Sequence, residues 1–245
     1  MRSVLEYPWA YNLMQDLSGW HGEGQKRFVS EVVRPQAGDR VLDIGCGTAA
    51  VLSRLGQVDY TGMDMNGRYI AYAQRRWGAA GRFLCADVNE FDFSSERKFD
   101  LVMMLGLLHH LKDADAARLL MQARRLVGET GRLVTMDACR TDGQGRFERW
   151  MVEKDRGHYI RPVAAYLELA RSVFPSVESH TRQDLVRFTY TFLVMDCRLG
   201  GSGRPVVPDA SQRERQAGLG GRAEAQRASW QGASREGDAN AAVSL

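Results

Sequence analysis

The chain has 245 residues, 44% of them hydrophobic and 26% charged, which excludes wholesale disorder, a collagen-like chain and a small disulfide scaffold. Lys and Arg number 33 and Asp and Glu 30, leaving a net charge of +3, too even for a surface built to hold nucleic acid or an anionic membrane. The four cysteines, Cys46, Cys85, Cys139 and Cys197, lie tens of residues apart, so no CxxC metal knuckle or redox pair exists and no metal site is expected.

Taken in chain order, the first twenty residues carry Glu6, Pro8 and Asp16 where a secretory signal needs an unbroken apolar run. The longest strongly apolar stretch, residues 101–108, is far short of the ~20 needed to span a bilayer. A soluble, cytoplasmic protein is expected. Tyr7, Trp9, Tyr11 and Trp20 belong to an N-terminal helical cap, where they either pack as ordinary aromatics or cover a site. RVLDI (Arg40–Ile44) reads as a first strand ending in glycines, and residues 58–64 as a second after a short helix. Tyr69, Ile70, Ala73 and Trp77 then recur at helical spacing. Residues 82–87 and 99–105 are the third and fourth strands; Ala116, Leu119, Leu120, Ala123 and Val127 mark the next helix; residues 131–137 are the fifth strand. Two helical stretches (145–155 and 162–173) and a hairpin (176–182 with 186–197) follow. Apolar strands alternating with amphipathic helices imply a parallel sheet covered on both faces. Composition changes near Leu199. Residues 200–245 are rich in Gly, Ala and Arg, with Trp230 the only aromatic, and are predicted to be a disordered tail that cannot bury enough apolar surface to order itself. Residues 1–199 form the folded domain.

A GxG pair occurs five times, but only Gly45/Gly47 sits between a predicted strand and a predicted helix, the context a ligand-cradling loop needs. The loop GCGTAA passes as a degenerate dinucleotide fingerprint, with Ala50 in the third glycine position. Asp43, two residues before Gly45, opposes that reading, because a carboxylate there repels a pyrophosphate and suits an ammonium or sulfonium; it could equally be a cap of the turn. Asp64 ends the second strand, where an acid accepts hydrogen bonds from ribose hydroxyls, and Asp87 ends the third, where an adenine amino group would arrive.

The ordered set VLDIGCGTA, GMDMN, CADV and FDLVMMLGLLHHL resembles the class I S-adenosylmethionine-dependent methyltransferase family. The resemblance implies a Rossmann-like sheet of seven strands, the last antiparallel, with the cofactor half at about 38–138 and an acceptor-shaping segment at about 139–183. It implies S-adenosyl-L-methionine as cofactor, with Gly45, Cys46 and Gly47 along its methionine part and Asp43 near its amino group. Asp64 would hold the ribose hydroxyls, Met65 would pack on the adenine, Asp87 and Val88 would meet the adenine edge, and Leu105 would offer backbone to the methionine end. Ala49 departs from the family, which often has a third glycine there; a weakened fit at most is expected.

Methyl transfer from a sulfonium is an in-line displacement, and a hydroxyl acceptor must also lose a proton, a task that suits a neutral histidine. His109 and His110 follow the fourth strand and Asp137 ends the fifth, its neighbour, so the acid could orient either imidazole. The bland alternative is that one histidine opens a helix and the other packs. The pattern is similar to that of methyltransferases acting on sugar or natural-product hydroxyls, and the absence of an Asn/Asp-Pro-Pro-aromatic signature favours oxygen or small-molecule acceptors. Tyr11, His158, Tyr159 and Arg161 are the candidate acceptor-binding residues. Two other readings stay open: a catalytically silent cofactor-binding partner protein, and a nicotinamide-dependent oxidoreductase.

Overall fold

The protein is described here from a computed structural model covering residues 4–94, 96–155 and 157–200. The predicted tail therefore lies, from residue 201 onward, outside the described residues. Helix α1 (Pro8–Ser18) opens on a proline at its first turn and stops at Gly19, whose φ of 85° is the left-handed conformation that closes a helix. The short α2 (Gln25–Phe28) follows, and then β1 (Arg40–Ile44), α3 (Leu52–Leu55), β2 (Asp59–Asp64), α4 (Gly67–Trp77), β3 (Arg82–Cys85), β4 (Phe99–Leu105), α5 (Asp113–Leu126) and β5 (Val127–Arg140). The chain continues through α6 (Arg146–Lys154), the two-residue β6 (Arg161–Pro162), α7 (Val163–Arg171), β7 (Ser176–Arg182) and β8 (Phe192–Arg198).

Among the described residues the sheet runs β3-β2-β1-β4-β5-β8-β7, with β6 paired to the far end of β5. The first five strands are mutually parallel, and β8 runs antiparallel to both neighbours, as the motifs imply. The central strands are apolar because both faces are covered. On β4, Val102 and Met104 join the core under α5 and α7 with Ala116, Leu120 and Tyr166. Leu101 and Met103 alternate onto the opposite core with Phe28, Val32, Leu52 and Ile70. Each such side chain, withdrawn from water, contributes about 1.5–3 kcal/mol before chain entropy is counted.

Three boundaries differ from the sequence expectation. The third strand ends at Cys85, two residues early, because Asp87 accepts the N–H of Asn89 at 2.8 Å and turns the chain. The fifth strand starts at Val127, with an irregular register between Phe99 and Leu101 that admits the glycine-containing turn. The return strand starts at Phe192; just before it the Thr191 carbonyl still accepts the Cys139 N–H, and its hydroxyl donates to the buried Glu148. Residues 186–190, expected in the strand, precede this pairing.

Candidate active site

The parallel strands all deliver their carboxyl ends to one edge, the place where such sheets hold ligands. After β1 the loop turns through Gly45 at φ 76°, Gly47 at φ 55° and Ala49 at φ 54°. The N–H groups of Gly45 and Cys46 both donate to the carbonyl of Met63, which folds the loop over the end of β2. Space above it is tight: a Cβ on Gly45 would stand 3.2 Å from the Leu107 side chain.

Asp64 takes the Gly47 N–H at 2.9 Å on one oxygen and the Asn66 N–H at 2.7 Å on the other. Burial raises its carboxyl, opposed by those two bonds. Two of its four lone-pair sites stay available for hydroxyl donors. Asp43 is buried, and its carboxylate accepts the Tyr60 hydroxyl at 2.7 Å. It therefore lies within the packing under the loop and not open to the crevice as expected. Burial pushes it up to about 7, against the Tyr60 bond and with help from the Asp64 charge. Burial likewise raises the Cys46 thiol, which sits close against Gly62. Met65 is 73% exposed at the rim. Asp87 is half-buried and caps its own turn, and the Val88 side chain is in the core, so only its backbone can meet an adenine edge.

The N-terminal cap docks on this loop. Asn12 accepts the Thr48 hydroxyl at 2.7 Å, the Asn66 amide donates to the Glu6 carbonyl, and the Tyr11 ring lies where a Cβ on Gly47 would be 3.6 Å away. Asn12 belongs to no motif, and Thr48, though inside VLDIGCGTA, was not singled out as a site residue. Trp20 packs on Phe28 in the core, whereas Trp9 is largely exposed.

Beside the loop opens a cleft of about 760 Å³. Leu105 and Gly106 at the end of β4, Tyr11, His109 and His110 are among its lining. Here the geometry separates the two histidines. His109 is buried; its backbone N–H and its ring Nδ1 both meet one oxygen of Asp137, at 3.1 and 2.8 Å. Asp137 is 1% exposed, and its other oxygen has no hydrogen-bond partner. His110 is exposed, with its ring 4.2 Å from that of His109. On the opposite side of the His109 ring, Nε2 is 3.8 Å from Asp155, which also accepts the Tyr190 hydroxyl at 2.6 Å.

The acceptor-binding expectation needs correction at three residues. His158 and Tyr159 are exposed and are not among the residues lining the cleft. Arg161 is buried and donates to Asp113 and to the carbonyls of Leu108, Tyr159 and Leu111. Its fork clamps the turn that carries both histidines, leaving it committed to the chain itself. Sequence reading passed over Asp155, Phe188, Tyr190 and Phe192, all of which line the cleft. The signal for the last three was the FTYTF alternation, which puts aromatics on one face of an extended chain.

Residues 41–131 match a family model described as a methyltransferase domain. Over 171 residues the chain is 26% identical to phosphoethanolamine N-methyltransferase 1 of Triticum aestivum, covering 66% of this chain and 33% of the relative. The chain thus spans about a third of that relative's length. The structure of magnesium protoporphyrin IX methyltransferase from Synechocystis PCC 6803 with bound SAH superposes with a TM-score of 0.60 at 20% identity, over 76% of this chain and 87% of that one. Mitomycin 7-O-methyltransferase gives a TM-score of 0.58 at 15% identity, over 72% and 53% respectively. These likenesses concern the fold, and the matched motif region is the one that builds the glycine loop and the three acids. Residues 41–131 thus match a methyltransferase domain, and they lie on a fold shared with solved S-adenosylmethionine-dependent methyltransferases.

Proposed function

We propose that the protein transfers a methyl group from S-adenosylmethionine to a hydroxyl oxygen of a small molecule, with His109 as the base. The glycine loop and Asp64 fit the cofactor: the loop bends at two glycines where a Cβ would crowd the approach, and the half-used carboxylate can take two ribose hydroxyls. The Val88 backbone and Met65 would flank the adenine. When bound, S-adenosylmethionine supplies an electrophilic methyl on a sulfonium. Leu105, Gly106 and Tyr11, shared by loop and cleft, would hold the acceptor in line and keep water out.

The observation that carries the reading is the Nδ1 contact of His109 to Asp137 at 2.8 Å. With Nδ1–H given to the buried carboxylate, Nε2 presents its lone pair to an acceptor hydroxyl, and the carboxylate stabilises the imidazolium that forms. His109→Ala should lower kcat by roughly a hundredfold or more while the affinity for S-adenosylhomocysteine, measured by calorimetry, stays unchanged. Asp137→Asn should lower kcat too, and His110→Ala should retain it. Equal rates in wild type and His109→Ala on the same acceptor would defeat the assignment. The likeness to a phosphoethanolamine N-methyltransferase favours a second reading, an amine acceptor; methyl release from labelled cofactor onto nitrogen and oxygen acceptors separates the two. Absence of any methyl release despite cofactor binding would instead indicate a silent binding partner.

A further inference from the structure

We infer that the acceptor is a planar aromatic hydroxyl compound of two or more fused rings; this rests on the hydroxyl-methylating reading above. The acids of the cofactor loop do not line the 760 Å³ cleft; beyond Leu105 and Gly106, where the methionine end would reach, its volume is open to the acceptor. Its lining is largely apolar, and three elements besides the β4 and β5 ends supply most of it. Helix α1 presents Trp9, Leu13 and Leu17 at i, i+4 and i+8, one stripe that is 51–67% exposed. The segment before β8 presents Phe188 and Tyr190, and β8 opens on Phe192, with successive ring centroids 6.0 and 5.2 Å apart. Helix α6 presents Met151 and Lys154 to the cleft. One turn back on the same helical face, Phe147 and Trp150 stack at 6.0 Å and are both more than half exposed.

Large apolar side chains left in water around one opening mark a surface that a ligand covers. A single ring held at His109 would leave the α1 stripe wet, whereas a fused system covers more of it. A sugar fits poorly. Each buried hydroxyl needs a partner, and the polar groups among the aromatic wall and the end of α1 are already engaged: Tyr190 and Asp155 bond each other, and the Ser18 hydroxyl is given to the Gln15 carbonyl. The base points the same way. A phenolic hydroxyl, with a pKa of about 10, can give its proton to imidazole far more readily than a sugar hydroxyl can. The phenolic oxygen would lose its proton to Nε2 of His109 as it bonds the methyl carbon. The S–C bond breaks with its electron pair kept by sulfur, yielding an aryl methyl ether, S-adenosylhomocysteine and a proton that the imidazolium returns to water.

The test uses the full chain saturated with S-adenosylhomocysteine and titrated with 1-hydroxyanthraquinone, 2-naphthol, methyl glucoside and phosphoethanolamine, followed by tryptophan fluorescence and calorimetry. The two aromatic hydroxyls should bind at least about tenfold more tightly than the other probes. Leu13→Asp, on an exposed position that the fold does not need, and Phe188→Ala should each weaken them by about tenfold with S-adenosylhomocysteine affinity unchanged. Equal or tighter binding of methyl glucoside or phosphoethanolamine, or aromatic binding indifferent to Leu13→Asp, would overturn the inference. Methyl label appearing on the nitrogen of phosphoethanolamine would overturn it while leaving a methyltransferase. Failure to bind S-adenosylhomocysteine would defeat the underlying reading itself.

Discussion

Ala49 shows what a single residue costs where the glycine loop bends into the left-handed region. It is fully buried at φ 54°, in the left-handed region where an L side chain carries about 1–2 kcal/mol of strain. The consequence of the missing third glycine is therefore backbone strain, where sequence suggested a looser ligand fit. Elsewhere a buried Ala→Gly exchange costs about 1.5 kcal/mol through a lost methyl and a freer unfolded chain. Ala49→Gly should instead unfold in urea within about 0.5 kcal/mol of wild type, the relief of strain offsetting both losses; a full 1.5 kcal/mol loss would show that the loop is unstrained. Asp43 makes a second prediction. Its folded pKa of about 7 lies above the 3.8 of a free carboxyl, so the folded chain holds this proton more tightly than the unfolded one. That stabilisation is complete below about pH 4 and is lost as the pH rises through about 7. Asp43→Asn stays neutral throughout. It should gain roughly 2–3 kcal/mol on the wild type between pH 5 and pH 8 in unfolding titrations without cofactor, and parallel profiles would place the Asp43 charge in water.

Two short elements, the turn after β4 and the stretch between α6 and β6, together set the His109 ring. Arg161 ties them by donating to the Leu108 and Leu111 carbonyls on one and the Tyr159 carbonyl on the other, while the Tyr159 N–H donates to the His109 carbonyl at 3.0 Å. Gly157 completes the fit: a Cβ there would lie 2.1 Å from Cδ2 of His109. Gly157→Ala must therefore displace the ring or the segment. It should lower kcat by about tenfold or more, the scale of a 1 Å misplacement of a reacting group, with S-adenosylhomocysteine affinity unmoved. Wild-type kcat in this variant would mean that the ring position does not matter to turnover.

At the scale of the molecule, the antiparallel β8 enters between β5 and β7 and leaves its preceding segment beside the cleft. α1 reaches the same edge from the other end of the chain. The Arg187 N–H donates to the Ser18 carbonyl at 2.8 Å, joining the two where the cleft closes. The site thus draws on residues from 4 to 192. No helix among the described residues is long and apolar enough to cross a membrane. For residues 201–245 the composition alone speaks. Their removal should leave the melting temperature and cofactor affinity unchanged, because the segment lacks a core-forming face; a loss of several degrees on deletion would show that it docks.

The parallel sheet, the glycine loop and the acids at Asp43, Asp64 and Asp87 were legible in the chain, because strand period, glycine bends and strand-end carboxylates are local properties written within a few residues. The histidine that meets Asp137 was legible only as a choice within LLHHL. The tight turn at Leu108–His110 turns the His109 ring toward β5 and leaves its neighbour exposed. Arg161 looked like a substrate ligand because a lone sequence cannot show that Leu108 and Leu111, some fifty residues earlier, need its donors. The Asp43–Tyr60 bond, the Gly157 contact and the aromatic wall of the cleft arise from segments distant in sequence. Only packing brings them together, since side-chain contacts across the sheet edge depend on strand order and register, which no local pattern encodes.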